Sequence, residues 1–152
     1  MRKTILVSIL AMAFTQAAVS GCEPEEEEGV CEGEDRTVPL ELNVDLEGED
    51  ARLVFQLLSV DPEPVDLGAN DWTVSILDPS GVALDGCTVT VTPWMPDHGH
   101  GSNEPEGVAG SEAGQYFIEG IEFIMPGFWT ASLSATCGEV TDNITLRPCI
   151  EG

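Results

Sequence analysis

Short stretches in which every second residue is apolar dominate the chain after about its first thirty residues. Seven segments either alternate in this way or are apolar on both sides: residues 38–44, 52–60, 72–76, 87–91, 116–124, 129–137 and 140–146. A period of two indicates half-buried β-strands, and Gly, Pro, Asn and Asp separate the segments as turn residues do. No window has a helical period. The pattern predicts an all-β domain, an antiparallel β-sandwich of about seven strands.

Residues 1–21 have the layout of a secretory signal peptide. The chain opens with Arg2 and Lys3, and residues 4–18 carry no charge. This apolar stretch is shorter than the roughly 20 residues that a membrane-spanning helix needs. Val19-Ser20-Gly21-Cys22 then resembles a lipobox, the recognition sequence of bacterial lipoprotein processing. We therefore expect cleavage after residue 21 and lipidation of Cys22. The alternative is an ordinary signal peptide followed by a chance cysteine.

Lipidation would place the protein in the cell envelope, anchored to the membrane through its lipid, on the periplasmic or outer-membrane face. Several acyl chains are needed for firm anchoring, because a single chain binds a bilayer only marginally. The acidic segment that follows has too little apolar area to fold by itself. Residues 22–35 are therefore predicted to form a lipidated linker, and residues 36–150 a single domain.

The mature chain is strongly acidic. All 28 Asp and Glu residues follow Gly21, where the only cations are Arg36, Arg52 and Arg147, which gives a net charge of −25. Such a chain repels phosphate backbones, so nucleic-acid binding is disfavoured. Any electrostatic attraction should be toward metal cations or basic proteins, although solubility alone is a sufficient reason for the charge.

The cysteine count supports both the lipobox and an oxidising compartment. Once Cys22 is lipidated, an even set remains, and thiols of exported proteins normally pair. Cys87 and Cys137 share the phase of inward-facing residues on two strands, which makes them candidates for an inter-sheet bridge. Pairing of Cys137 with Cys149 is disfavoured, because the intervening strand separates them by roughly 26 Å. Of the three connectivities, we favour Cys87–Cys137 with Cys31–Cys149.

The loop at residues 93–102 holds both histidines of the chain. His98 and His100 are two residues apart, so their rings project to one side of an extended segment. Met95 lies just upstream, and Met125 lies in a second loop. Thioether sulfur is a soft ligand that suits Cu(I), and imidazole suits copper and zinc alike, so the set favours copper. The alternative is a solvated turn with methionines that only fill gaps.

Several motifs of the chain, taken in order, resemble those of the YtkA-like family, whose domains are related to FixH-like envelope proteins. The motifs are Trp94-Met95-Pro96-Asp97-His98-Gly99-His100-Gly101, Gly114-Gln115-Tyr116 and Met125-Pro126-Gly127-Phe128-Trp129, preceded by Asp61-Pro62-Glu63-Pro64-Val65 with Gly68, Asn70 and Trp72. The resemblance covers roughly residues 50–147. It implies an immunoglobulin-like β-sandwich and an association with copper handling, with Met95, His98, His100 and Met125 at the matching positions.

The sequence thus favours a non-enzymatic, envelope-anchored lipoprotein with copper as its cofactor. The alternative is a structural or interaction module that binds another envelope protein and no metal. An enzyme is disfavoured, because a serine or cysteine nucleophile needs an adjacent base, whereas the two histidines share one loop and the thiols are expected to be bridged.

Overall fold

The computed structural model describes residues 29–152, so the predicted signal peptide and Cys22 lie outside the described part of the chain. Within it, regular structure consists of strands alone, and no helix is long and apolar enough to cross a membrane. The strands are β1 (Leu46–Glu47), β2 (Val54–Asp61), β3 (Gly68–Leu77), β4 (Thr88–Met95), β5 (His100–Gly101), β6 (Val108–Ala109), β7 (Gln115–Phe123), β8 (Gly127–Phe128), β9 (Thr130–Cys137), β10 (Val140–Leu146) and β11 (Cys149–Ile150).

These strands form three antiparallel sheets. The first has the order β1-β2-β3-β7-β6, the second β10-β9-β4-β5, and the third pairs β11 with β8. The all-β prediction is confirmed, but there are eleven strands where about seven were expected. Five of them, β1, β5, β6, β8 and β11, have only two residues each. Such short strands leave no alternation in the sequence to detect.

One hydrophobic core contains residues from both larger sheets. The positions that alternate as apolar along β3, β4, β7 and β9 are buried and belong to a single cluster. Its largest members include Trp72 and Tyr116 from the first sheet and Leu133 from the second, and Trp129 lies just before β9. Strand β4 also lies against β7, which connects the two sheets. The core therefore extends to the end of β4, where the histidine loop begins.

The predicted strand over residues 38–44 is wrong. Only Val38 pairs there, in a single antiparallel bridge with Arg147. The chain turns at Asn43, whose φ of 60° is incompatible with an extended strand. Leu40 and Leu42 still pack against the core, which accounts for their apolar character. The apolar alternation therefore marks residues that pack against the core, although the segment is not a strand.

The four cysteines of the described chain form Cys31–Cys149 and Cys87–Cys137, the connectivity that the sequence favoured. The second bridge was predicted to join two sheets, and this part of the prediction is wrong. Thr88 is paired with Thr136 in the β4–β9 ladder, so the neighbouring cysteines face each other within one sheet. Their Cα atoms are 4.2 Å apart, close to the spacing of about 4.5 Å in non-hydrogen-bonded antiparallel pairs.

Candidate metal centre

The Met/His loop, residues 95–100, is a tight turn that joins β4 to β5. The backbone N–H groups of His98 and Gly99 both donate to the carbonyl oxygen of Met95, at 3.2 and 2.9 Å. Gly99 has a φ of 68°, which a glycine adopts without strain. The turn places His100 directly opposite Met95 in the β4–β5 ladder. Their side chains therefore lie on the same face of the sheet.

The two imidazole rings are close together, with centroids 5.8 Å apart and planes at 65°. His98 is exposed and His100 is half-buried. The His100 ring lies edge-on to Trp129, at a centroid distance of 6.1 Å, and its Nδ1 lies 3.2 Å from the carbonyl oxygen of Gly101. When Nδ1 carries the proton, it donates to that carbonyl and leaves the Nε2 lone pair for a metal.

The two methionines enter from different elements. Met95 is only 2% exposed, and its methyl carbon lies 2.8 Å from where a Cβ on Gly127 would be. The absence of a side chain at Gly127 therefore makes room for Met95. Met125, which lies two residues before Gly127, is half-buried. Its carbonyl oxygen accepts a hydrogen bond of 2.9 Å from Trp129 Nε1. The 125–129 segment thus contacts Met95 through Gly127 and His100 through Trp129.

Arg36 is a residue of this region that the sequence did not reveal. Its guanidinium donates to both carboxylate oxygens of Asp97, at 2.8 and 2.7 Å, and to Glu34. It also lies over the ring of Phe128, 4.3 Å from the centroid. Hydrogen bonding to Arg36 holds the pKa of Asp97 and that of Glu34 below their usual ranges. The only sequence signal was that Arg36 is one of three cations after residue 21.

The donor set limits which metal chemistry the loop can support. No three His, Cys, Asp or Glu side chains within residues 29–152 are grouped so that they could hold a metal ion. The four cysteines there are bridged, and Asp97 is occupied by Arg36. A metal at this place would therefore need the two imidazoles together with thioether sulfur. That mixed set fits a soft ion such as Cu(I) better than zinc.

Comparison with known proteins gives one family match. Residues 51–134 match the family described as YtkA-like, a segment that contains all four candidate ligands, whereas Arg36 lies outside it. No curated protein and no solved structure gives a match. The matched segment covers more than half of the 152 residues and agrees with the resemblance of the loop motifs. The chain therefore belongs to the YtkA-like family.

Proposed function

We propose that this protein is an envelope-anchored lipoprotein whose YtkA-like domain is non-enzymatic and binds copper. The lipid on Cys22 would hold it at the membrane, on the periplasmic or outer-membrane face. The two larger sheets would form an immunoglobulin-like sandwich that supports the copper-binding loop. Met95, His98, His100 and Met125 are the proposed ligands.

The observation that carries this proposal is the distance between the two imidazole rings. A ring nitrogen lies about 2.1 Å from a bound ion, so two rings that share one ion have centroids no more than roughly 6–7 Å apart. The observed 5.8 Å between His98 and His100 is within this limit. Met95 supports it further, since it is the cross-strand partner of His100.

The negative charge favours cations in general, and the buried thioether favours a soft one. A net charge of −25 on the mature chain attracts cations and raises their local concentration. Met95 lies in an apolar setting, with only 2% of its surface exposed, where thioether sulfur is shielded from water. An apolar surrounding with sulfur and imidazole donors favours Cu(I) over harder ions.

The test is a titration of the purified, untagged, full-length protein in detergent with Cu(I), in competition with a chelator. We expect one equivalent of Cu(I) to bind, and His98→Gln with His100→Gln to weaken binding by about tenfold or more, equivalent to about 1.4 kcal/mol. Met95→Leu and Met125→Leu keep side-chain volume and remove only the sulfur. Binding that is unchanged when all four residues are replaced would disprove the assignment.

A second candidate function is a protein-interaction module of the envelope that binds no metal. The observation that favours it is a groove of about 690 Å³ between the 37–42 segment, the 62–66 loop and the C-terminal residues 148–152. Its lining is mainly apolar and rich in proline, with carboxylates among the remaining residues. A partner recovered from envelope extract whose binding is indifferent to copper chelation would favour this function over the first.

A further inference from the structure

We propose that Arg36 is the positioning residue of the Met/His loop, and that the Cys31–Cys149 bridge fixes the segment that carries it. The geometric part of this inference rests on contacts within the described chain. Its consequence for metal affinity rests on the proposed copper function. Arg36 lies outside the family-matched segment 51–134, whereas the loop that it contacts lies inside.

The contact between Arg36 and the loop depends on the shape of the guanidinium group. Two parallel hydrogen bonds to Asp97, at 2.8 and 2.7 Å, fix the carboxylate in direction as well as in distance. Asp97 lies between Met95 and His98, at the centre of the turn. A lysine would keep the charge but would lose the bidentate contact and the planar stacking on Phe128. The geometry therefore requires arginine and not merely a cation.

The segment that carries Arg36 is anchored on both sides. Cys31 is bonded to Cys149, and the N–H of Val38 donates to the carbonyl oxygen of Arg147 at 3.0 Å. Cys149 is in turn paired with Phe128 in the β11–β8 ladder. The bridge therefore connects the Arg36 segment to the strand over which the guanidinium stacks.

Strand β8 supports both sides of the proposed site. Phe128 lies beneath the Arg36 guanidinium, and its neighbour Gly127 faces the methyl group of Met95. Loss of the Arg36 contact would leave the turn with the two backbone hydrogen bonds to the Met95 carbonyl oxygen. Exposed ion pairs contribute little to global stability, so we expect replacement of Arg36 to loosen the loop while the protein stays folded.

Positioning and simple electrostatics predict opposite effects on copper affinity. Arg36 places a positive charge near the proposed ligands, so removing it would strengthen Cu(I) binding if charge alone mattered. If Arg36 positions the loop, removing it weakens binding, because the imidazoles are no longer held in place. The sign of the change therefore distinguishes the two.

The experiment compares Arg36→Gln and Arg36→Lys in the full-length protein, with Arg52→Gln as the control for charge. Arg52 is exposed, and its nearest carboxylate, on Asp50, is 3.9 Å away, which is longer than a hydrogen bond. Its loss therefore changes the net charge equally without removing a comparable contact. In competition titrations with Cu(I), we expect both Arg36 variants to bind about three- to tenfold more weakly and Arg52→Gln to bind no more weakly than wild type.

A second readout needs no copper. Hydrogen exchange of the His98 and Gly99 amides reports the order of the turn, and we expect it to be faster in both Arg36 variants and unchanged in Arg52→Gln. Unchanged exchange overturns the inference. Faster exchange with wild-type or tighter Cu(I) binding overturns its link to the metal. If wild-type protein binds no Cu(I), the proposed function fails, and exchange alone decides the positioning role.

Discussion

Among single residues, Asp142 has the most unusual environment. The residue is 2% exposed, and its carboxylate accepts hydrogen bonds from the backbone N–H groups of Asp50, Arg52, Leu53 and Asn143. Burial disfavours the charged form, but the hydrogen bonds outweigh it and hold the pKa of this carboxyl below its usual range. Asp142 thus attaches β10 to the loop that precedes β2.

Replacing Asp142 should destabilise the protein strongly. In Asp142→Asn, one carboxylate oxygen becomes an NH₂ group that faces two backbone N–H donors, so we expect a loss of about 2–4 kcal/mol in the free energy of unfolding. Asp78→Asn is the matched control, since the Asp78 carboxylate serves an exposed turn by accepting from Ser80 and Val82. Urea unfolding measures both. Equal losses in the two variants would contradict the role of burial.

The same carboxylate makes stability depend on pH in the acid range. Because the pKa of Asp142 is lower in the folded protein than its ordinary 3.8, its contribution is fully present above that value. It is lost as pH falls through the lower pKa of the folded state, where the carboxylate takes up a proton. Unfolding midpoints between pH 7 and pH 2 should therefore fall less steeply in Asp142→Asn than in wild type. Parallel curves for the two proteins would count against this assignment.

At the scale of elements, the sequence predicted the long strands well and the short ones not at all. Strands β4 and β9 alternate clearly over most of their length, and their inward-facing residues within 89–95 and 131–135 are buried. The 38–44 segment has the same alternation without being a strand, because Asn43 turns the chain. The local pattern indicates which residues face the core, whereas strand pairing depends on backbone conformation and on a partner strand elsewhere in the sequence.

The candidate site likewise combines residues that are neighbours in the sequence with residues that only the fold brings together. Met95, His98 and His100 belong to one continuous motif, so their proximity could be predicted from spacing. Arg36 and Asp97 are 61 positions apart, and no local pattern links them. Their contact follows from the Cys31–Cys149 bridge and from Phe128, which only the folded chain brings into place.

Gly114, which precedes β7, illustrates a turn that requires glycine for two reasons. Its φ is 69°, and a Cβ there would lie 2.8 Å from the Ile76 carbonyl oxygen and 2.9 Å from Ala83 Cβ. Gly138 has a similar φ of 63°, but nothing lies within 4 Å of its added Cβ. It is therefore a control for backbone strain alone.

We expect Gly138→Ala to cost about 1–2 kcal/mol and Gly114→Ala about 1–3 kcal/mol more, because the second variant adds steric overlap to the same strain. Thermal and urea unfolding of both variants checks this difference. A Gly114→Ala variant as stable as Gly138→Ala would show that the β3–β7 end relaxes easily around the methyl group.

For the whole molecule, charge is the dominant feature. After residue 21 the chain carries 28 Asp and Glu residues against three arginines. Among residues 29–152, only Arg36 is closely paired with carboxylates. Most negative charge is therefore uncompensated and repels itself in the compact state.

Salt should consequently stabilise the protein. Raising NaCl from 10 mM to 0.5 M shortens the screening length from about 30 Å to below 8 Å, so repulsion between exposed carboxylates weakens. We expect the thermal midpoint at pH 7 to rise by about 3–5 °C, equivalent to about 1 kcal/mol. Calorimetry at the two salt concentrations measures it. A midpoint that falls with salt would mean that attractive pairs outweigh the repulsion.

The proposed function depends most on whether imidazole nitrogen and thioether sulfur bind the same copper ion. X-ray absorption spectroscopy of the full-length protein loaded with one equivalent of Cu(I) tests this directly. We expect both nitrogen and sulfur neighbours at the copper, with the sulfur signal lost in the Met95→Leu, Met125→Leu double variant. A spectrum with only nitrogen and oxygen neighbours, or one that the double variant leaves unchanged, would contradict it.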